Sequence, residues 1–549
     1  MKSTKRFYPI GLLLLSVLML VACGGGSASE DTTPADNQNT ATETVSGDSE
    51  AASEESAAEE PAADTPSEPT EIRISYIQQF TDMNPFNTNN QASVAVNEGL
   101  FDTLVRVTPD GEIIPWAADS WDISDDNLTI TFHLHEGITF SDGTPLNADA
   151  VVYSANYFQD PDLFLGTSLL SMTGWEAVDE YTVKFTFSQP DAAALYNLAG
   201  PDTSIVSPTA YEALGTDGFG LAPVGSGPYL LEKWEPGVEV IMVKNPNYWQ
   251  DGVGNFDRVV WRNFQDGAAA VLAAQSGELD LLHQIEPKDV PLYEAIPGWQ
   301  VGNIESGWHS LVLNTRIPPF DKLENRQALA AALDYDILVN VGFEGFASVP
   351  DGLIPPGSWA YQPAGEPMQR DLDRARELLA AAGNPDGFDF KVSVTPQPFR
   401  SQLLQMMQAS LAEVGINLEI EVNEFARHIE ILRQDHNGAN AGFVVQQNLH
   451  TNPATWLMLY AGCNANVGMT GWCDPNDSTF DDLLAASVAT FDTNERIAIL
   501  HEANVMEMEA MVVLPYVFQQ TLHAWNADKL GADYVASFTG GYNYLYIQP

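Results

Sequence analysis

Short runs of alternating apolar and polar residues predict β-strands at several places in the chain. In residues 72–76, 129–134 and 182–187, apolar side chains occupy every second position. Successive side chains of a strand point to opposite faces, so this pattern predicts strands with one buried face. The remaining face of each strand would carry the polar residues.

Helical periodicity occurs between these runs. Residues 373–382 repeat apolar side chains at every third or fourth position, and Gly383 with Pro385 predicts the end of that helix. Residues 325–333 and 493–511 predict two further helices. We find no internal repeat of about 20–50 residues. Intermixed strands and helices predict an α/β body with mixed sheets.

The N-terminus combines a positive segment with an apolar stretch at residues 10–22. This stretch is shorter than the roughly 20 residues of a membrane-spanning helix and is typical of a signal peptide. It ends at Leu20-Val21-Ala22-Cys23, which resembles a bacterial lipobox. We therefore expect cleavage before Cys23 and lipidation of its thiol. The alternative is an ordinary signal peptide in which the cysteine falls by chance.

Residues 24–70 predict a disordered tether between this anchor and the folded body. They contain no lysine, arginine or aromatic residue and are rich in serine, alanine, glutamate, threonine and proline. Such a segment cannot bury enough apolar surface to offset the entropy lost on ordering. Repulsion between its negative charges extends it further.

The charge of the chain excludes some functions. Its 75 acidic and 23 basic residues give a formal net charge of -52. Nucleic-acid binding requires basic patches, so we expect no nucleic-acid partner. The acidity favours either a surface adapted to its medium or a cationic ligand, and the sequence leaves both open.

Several motifs follow one another in an order that covers most of the body. They are residues 115–121 (PWAADSW), 140–146 (FSDGTPL), 223–229 (PVGSGPY), 245–249 (NPNYW), 277–280 (GELD), 326–329 (RQAL) and 375–383 (ARELLAAAG). This ordered set resembles family 5 of the extracytoplasmic solute-binding proteins, the oligopeptide, dipeptide and nickel-binding group that serves ABC importers.

The resemblance implies a fold like that of type II periplasmic binding proteins, with two hinged lobes around a cleft and an extra subdomain in the first lobe. The expected divisions are a signal peptide (1–22), a lipidated tether (23–70), lobe one (71–307), lobe two (308–518) and a return to lobe one (519–549). We expect the outgoing hinge crossing near residues 308–314 and the return crossing near 514–523. Ligand binding would favour closure, because only the closed cleft lets both lobes contact the ligand.

The family also implies a location, partners and a disulfide. We expect a monomer outside the cytoplasm, attached by its lipid to the outer face of the cytoplasmic membrane or in the periplasm, and bound by ABC permease subunits. Cys463 and Cys473 resemble a paired-cysteine loop of dipeptide-binding members and would form a disulfide. A zinc site is the rival reading, but no histidine or third cysteine stands at ligand spacing. No cofactor is implied.

Aromatic walls with a few polar anchors are typical of clefts in this family. By position, the candidates are Gln79, Phe80 and Thr81 after the first strand, Trp308 and Phe518 at the crossings, and Trp472 in the cysteine loop. A core position is an equally acceptable reading for each aromatic residue.

One departure from the peptide-binding members concerns the ligand ammonium group. In those members an aspartate shortly before a proline of lobe two pairs with this group. Here residues 442–453 (GFVVQQNLHTNP) contain no carboxylate. Gln446, Gln447 and Asn448 would suit a polar neutral ligand, or a peptide held in another way, because a neutral amide lacks charge-assisted strength.

Enzyme motifs were tested against the same sequence. The chain has no HExxH, GxSxG, P-loop or dinucleotide-binding fingerprint, so we expect no enzyme. Capture of a peptide-like or other small solute is the leading hypothesis. A binding protein for metal chelates, a surface hydrolase, and a sensor or adhesion module are the alternatives.

Overall fold

The alternating runs of the sequence form strands in a computed structural model of the protein. Three predicted strands are confirmed as Glu71–Tyr76, Thr129–Leu134 and Thr182–Phe187. The structure describes residues 69–76, 79–87, 91–108, 112–158, 169, 171–264, 266–396, 398–424, 427–428, 430–431, 441–446, 453–454, 457, 461–462, 478–531 and 545.

The strands of this part of the chain are numbered in order. They are β1 (Glu71–Tyr76), β2 (Val105–Val107), β3 (Ile113–Pro115), β4 (Ala118–Ile123), β5 (Thr129–Leu134), β6 (Met172–Asp179), β7 (Thr182–Phe187), β8 (Tyr229–Glu235), β9 (Glu239–Lys244), β10 (Arg258–Asn263), β11 (Leu281–Ile285), β12 (Trp299–Leu313), β13 (Ala347–Ser348), β14 (Asp389–Val394), β15 (Asn417–Val422), β16 (Ala441–Gln446) and β17 (Val513–Asn526).

The helices are numbered in the same way. They are α1 (Gln91–Leu100), α2 (Ala148–Ala155), α3 (Ala193–Asn197), α4 (Pro208–Leu221), α5 (Gly267–Gln275), α6 (Val290–Glu294), α7 (Leu323–Ala332), α8 (Tyr335–Ile337), α9 (Leu372–Ala381), α10 (Pro398–Ala412), α11 (Thr479–Ala489), α12 (Thr493–Ala510) and α13 (Ala527–Leu530). The three predicted helices correspond to α7, α9 and α12. Asp371 caps α9 by accepting a hydrogen bond from the Arg374 amide at 2.8 Å.

The strands form one large mixed sheet and two smaller sheets. The large sheet has 11 strands in the order β15-β14-β16-β12-β17-β11-β1-β10-β9-β8, with β13 pairing β17 at its side. The four-stranded antiparallel sheet β4-β5-β7-β6 is the additional layer of the first half of the chain. Strands β2 and β3 form a separate hairpin.

Two long strands, β12 and β17, pass through both halves of the large sheet. At one end, β17 pairs β11 at Leu522 and Trp525. At the other end, β12 pairs β16 from Trp308 to Leu313. Between these pairings lies a nearly isolated two-stranded segment, residues 304–307 and 519–521, which we call the ribbon. We call residues 69–303 with 522–531 lobe one, and residues 308–518 lobe two.

The ribbon begins four residues before the expected outgoing crossing, because residues 308–313 already pair with β16. A shift in strand pairing between Glu305 and Gly307 marks a β-bulge within it. Gly307 has a φ of 151°, which a residue with a side chain rarely adopts. A bulge locally increases twist and interrupts regular pairing, which suits a connection that bends.

Each lobe has its own apolar cores. Ile72, Ile74 and Trp261 belong to the largest core of lobe one, which extends into the four-stranded sheet. Lobe two has one core around Leu311 and Val392 and a second that includes α11 and α12. The ribbon therefore joins two bodies that each have apolar cores of their own.

Three of the family-like motifs converge on one buried carboxylate. The side chain of Asp102 accepts hydrogen bonds from Trp116 Nε1 at 2.8 Å, Ser226 Oγ at 2.8 Å, Tyr248 Oη at 3.1 Å and Trp249 Nε1 at 3.3 Å. These donors come from residues 115–121, 223–229 and 245–249. The motifs therefore hold the lobe one scaffold together.

Candidate functional site

The strand pairing places the carboxyl ends of the parallel strands of lobe one opposite the carboxyl ends of the parallel strands of lobe two. In lobe one, β1 runs parallel to β10 and β11, and β12 leaves this sheet at the end where those strands finish. In lobe two, β14, β15 and β16 run parallel, and β12 enters beside Gln446, the last residue of β16. The carboxyl ends of both sets of parallel strands therefore face each other across the ribbon. Ligands of open α/β sheets bind outside such carboxyl ends.

We call the space between these two sets of strand ends the cleft. The segment after β1 lies on its lobe one side. Gln79 and Thr81 are exposed, and the Thr81 amide donates a hydrogen bond to Ser93 Oγ at 2.9 Å. Phe80 is buried and meets Trp261 edge to face, with ring centroids 6.2 Å apart. Of these three predicted contacts, the two polar side chains are open to a ligand, and the aromatic ring belongs to the core.

A layer of aromatic and imidazole rings supports this edge. His283 stacks on Trp261 at 5.8 Å, and His523 stacks on Trp525 at 5.3 Å. Burial lowers the pKa of His283 to about 3 and that of His523 to about 4. Both imidazoles are therefore neutral at physiological pH, and they supply a rigid wall without positive charge.

The ribbon supplies an acidic group. Glu305 Oε1 accepts a hydrogen bond from Gln520 Nε2 at 2.9 Å, and Asn303 Nδ2 donates to Gln520 Oε1 at 2.7 Å. Burial raises the pKa of Glu305, while the hydrogen bond from Gln520 lowers it. Sequence reasoning missed this residue, because a single glutamate among 75 acidic residues carries no signal.

Two predicted aromatic contacts lie at the lobe two end of the ribbon. Trp308 and Phe518 face each other across β12 and β17, and they are 3% and 1% exposed. Both belong to the core that includes α11 and α12. The backbone of Trp308 also pairs with that of Gln446. Direct contact of these residues with a ligand stays a prediction.

Arg400 places a positive charge at the edge of lobe two where its parallel strands end. It lies in the first turn of α10, just after β14, and its guanidinium donates a hydrogen bond to Thr395 Oγ1. Burial lowers the pKa of Arg400, although its charge persists at neutral pH. The first turn of a helix disfavours positive charge, so an arginine there is a signal that sequence reasoning missed.

Beside Arg400, His309 is buried on β12. Its Nε2 lies 2.6 Å from Gln519 Oε1. Burial lowers the pKa of His309 to about 4, and the charge of Arg400 lowers it further, against the effect of the hydrogen bond. Arg400 therefore keeps its charge next to a neutral imidazole.

The remaining predicted positions lie outside the described residues. These are Gln447, Asn448 and Trp472 of the cleft, Cys463 and Cys473 of the expected disulfide, and the lipidation site Cys23. In the part of the chain that the structure describes, no three histidine, cysteine or carboxylate side chains group as metal ligands. Within the same part, every helix is too short or too polar to cross a membrane.

A family model agrees with the resemblance that the motifs predicted. Residues 112–479 match the model of the bacterial extracellular solute-binding proteins, family 5. The glutathione-binding protein GsiB of Escherichia coli O1:K1 is 30% identical over 470 residues, which cover 84% of this chain and 91% of GsiB.

Solved structures show the same two-lobed fold. DppA from Helicobacter pylori, in complex with the peptide STSA, aligns with a TM-score of 0.70 and 25% identity, covering 87% of this chain and 98% of DppA. NikA from Brucella suis, in complex with Fe(III)-EDTA, aligns with a TM-score of 0.76 at 20% identity, covering 87% of this chain and 99% of NikA.

These findings confirm both the predicted resemblance and the two-lobed α/β fold. They also confirm the predicted general function, which is capture of a small solute outside the cytoplasm for an ABC importer. The family consists of transport proteins, and the identity of the solute is a separate question. The chain belongs to family 5 of the bacterial extracellular solute-binding proteins.

Proposed function

We propose that the protein captures a small zwitterionic, peptide-like solute, with glutathione as the first candidate. One observation carries this proposal: the 30% identity to glutathione-binding protein GsiB extends over 84% of the chain and 91% of the relative. A relationship over this share of both chains includes both lobes and hence both walls of the cleft. The solute would pass to the permease subunits of an ABC importer.

The charges at the cleft suit such a ligand. Arg400 places a guanidinium on the lobe two edge, and Glu305 places a carboxylate on the ribbon. Glutathione carries two carboxylates and one ammonium group at neutral pH. Charge-assisted hydrogen bonds are about twice as strong as neutral ones. We therefore assign the ligand carboxylate to Arg400 and the ligand ammonium group to Glu305.

This assignment accounts for the missing carboxylate in residues 442–453. If Glu305 holds the ammonium group from the ribbon, lobe two does not need an aspartate after β16. Gln446, Gln447 and Asn448 would then bind the neutral amide groups of the solute. Gln79 and Thr81 would complete the polar contacts from lobe one, with Phe80, Trp308, Trp472 and Phe518 as the predicted aromatic walls.

The attachment of the protein is part of the same proposal. Lipidation of Cys23 would hold it at the membrane, and residues 24–70 would let the body reach the permease. A disulfide between Cys463 and Cys473 would stiffen lobe two, stabilising it by about 2–3 kcal/mol. A monomer would suffice, since a single chain supplies both lobes of the cleft.

Isothermal titration calorimetry with reduced glutathione tests the proposed ligand. Arg400→Gln and Glu305→Gln should each weaken binding at least tenfold, because each removes a charged hydrogen-bonding group. Arg374→Gln on the exposed face of α9 is the matched control and should leave affinity unchanged.

Two further titrations separate the alternatives. Fe(III)-EDTA should produce no heat, whereas its binding in the absence of glutathione binding would favour the metal-chelate hypothesis. Chromatography of the glutathione recovered after incubation should show it intact, and cleaved products would favour a hydrolase.

A further inference from the structure

The two lobes also meet through residues that do not belong to the ribbon. The amide of Ala192, in lobe one, donates a hydrogen bond to the carbonyl oxygen of Val488, in lobe two, at 2.6 Å. Phe491 of lobe two packs against the large core of lobe one. These contacts join α3 and the residue before it to the segment around the end of α11. A motion that opens the cleft at this side has to separate them.

An aromatic pair extends the contact. Tyr196 on α3 stacks on Trp359 of lobe two, with ring centroids 5.2 Å apart and an interplanar angle of 12°. The guanidinium carbon of Arg496 on α12 lies 4.8 Å from the Tyr196 centroid and 5.1 Å from the Trp359 centroid. Tyr196 is 7% exposed and Arg496 is 2% exposed. The cation therefore lies against two rings that belong to different lobes.

Opposite charges on Asp191 and Arg496 also attract the two lobes to each other. Asp191 of lobe one accepts a hydrogen bond from the Ala194 amide at 3.1 Å. Burial raises the pKa of Asp191, and the charge of Arg496 lowers it. Burial also lowers the pKa of Arg496 to about 10, so the guanidinium stays charged at neutral pH. The buried cation and the buried carboxylate thus attract each other across the boundary between the lobes.

The guanidinium is not fully satisfied by hydrogen bonds. Among the residues that the structure describes, Nε and Nη2 of Arg496 have no hydrogen-bond partner. Withdrawal of Tyr196 would return these donors to water, which lowers the net free energy of the contact. The ring contacts favour the closed arrangement and the desolvated donors oppose it, so the contact can break within a transport cycle.

We propose that Asp191, Ala192 and Tyr196 of lobe one form, with Trp359, Val488 and Arg496 of lobe two, an interlobe clamp that sets how often the ligand-free cleft opens. The clamp stabilises the closed state before any solute binds. It therefore lowers the fraction of ligand-free protein that is open when binding starts. This proposal rests on the two-lobed fold and does not depend on glutathione being the solute.

Tyr196→Leu tests the clamp from the side of lobe one. It removes the ring that stacks on Trp359 and leaves the Trp359–Arg496 contact inside lobe two. In ligand-free protein, hydrogen exchange of the Ala192 amide should accelerate about tenfold, which is the scale of aromatic and cation–π contacts. Tyr196→Phe keeps the ring and loses only the hydroxyl, which hydrogen-bonds to Thr493 and Arg496 of lobe two, so its exchange rate should lie between those of the wild type and Tyr196→Leu.

Tyr229→Leu is the matched control. Tyr229 is 1% exposed on β8, the strand at the far edge of the lobe one part of the large sheet. The substitution removes a buried tyrosine ring of the same lobe without touching lobe two, so the Ala192 exchange rate should stay at the wild-type value. Equal acceleration in both leucine variants would mean general destabilisation and would overturn the clamp.

Ala192→Pro provides a second and independent variant. Ala192 has a φ of -68°, which proline adopts, and proline has no amide hydrogen to donate to Val488. Small-angle X-ray scattering of the ligand-free variant should give a larger radius of gyration than the wild type. Unchanged scattering in this variant, together with unchanged Ala192 exchange in Tyr196→Leu, would refute the proposal.

Discussion

Asp102 is the position where a single substitution should destabilise lobe one most clearly. Its carboxylate is fully buried and accepts hydrogen bonds from the side chains of Trp116, Ser226, Tyr248 and Trp249. Burial raises the pKa of Asp102, and the positive charge of Arg106 together with the hydrogen bonds from Ser226, Trp116 and Trp249 partly offsets that shift. The four donors come from three separate segments of the chain, so one side chain connects distant parts of the lobe.

Asp102→Ala removes every acceptor and leaves the four donors buried. An unsatisfied buried donor costs about 1–3 kcal/mol, but water entering the vacated space would satisfy some of them. We therefore expect the free energy of unfolding to fall by about 3–5 kcal/mol, as for other broken buried networks. Asp102→Asn keeps one acceptor oxygen and is neutral, so its loss should be smaller, about 1–3 kcal/mol.

Urea denaturation followed by tryptophan fluorescence measures this loss. Trp116 and Trp249 both donate to Asp102, so the emission spectrum also reports the local environment. Asp119→Ala is the control: it replaces an exposed aspartate on β4 and should change stability by less than about 0.5 kcal/mol. A loss below 1 kcal/mol for Asp102→Ala would refute the view that the carboxylate holds the loops together.

Three further predictions concern pH, the anchor and the disulfide. Burial raises the pKa of Glu507 from 4.5 to about 8, so between these pH values the folded state holds a proton that the unfolded state has released. The free energy of unfolding should therefore fall as the pH rises from about 4.5 to 8, by up to about 1.4 kcal/mol per pH unit. Urea titrations measure this dependence, and Glu507→Gln should flatten it. Cys23→Ala should release the protein from isolated membranes into the soluble fraction, and continued sedimentation with membranes would contradict lipidation. Mass spectrometry without reduction should find Cys463 joined to Cys473, and alkylation of both thiols would exclude the disulfide.

The sequence predicted the local elements well where one face of an element is buried. Strands β5 and β7 begin and end at the expected residues, since alternation along each strand follows burial. Helix α9 ends just before Gly383, whose φ of 81° suits the turn that follows. These features depend on neighbouring residues alone, which is why a single sequence predicts them.

The long strands were harder to predict. Strand β17 is buried along most of both faces, so its apolar residues do not alternate. In β12 the bulge between Glu305 and Gly307 shifts the pattern at the ribbon. The ribbon therefore begins before residues 308–314, where the outgoing crossing is expected, and residues 308–313 pair with β16.

The candidate site was predictable only in part. Gln79 and Thr81 follow a strand that the sequence predicts, so their place at the cleft edge could be expected. Arg400 and Glu305 meet the cleft through the parallel pairing of β14 with β16 and through the ribbon, which are contacts between distant segments. For Trp308 and Phe518, side-chain type alone does not distinguish a ligand wall from a core.

Closure of the lobes around a small solute is the central claim, and small-angle X-ray scattering during a glutathione titration tests it most directly. The radius of gyration should fall in step with the calorimetric saturation, because a bound zwitterion bridges both sides of the cleft. A scattering curve that stays unchanged while the protein becomes saturated with glutathione would contradict the claim.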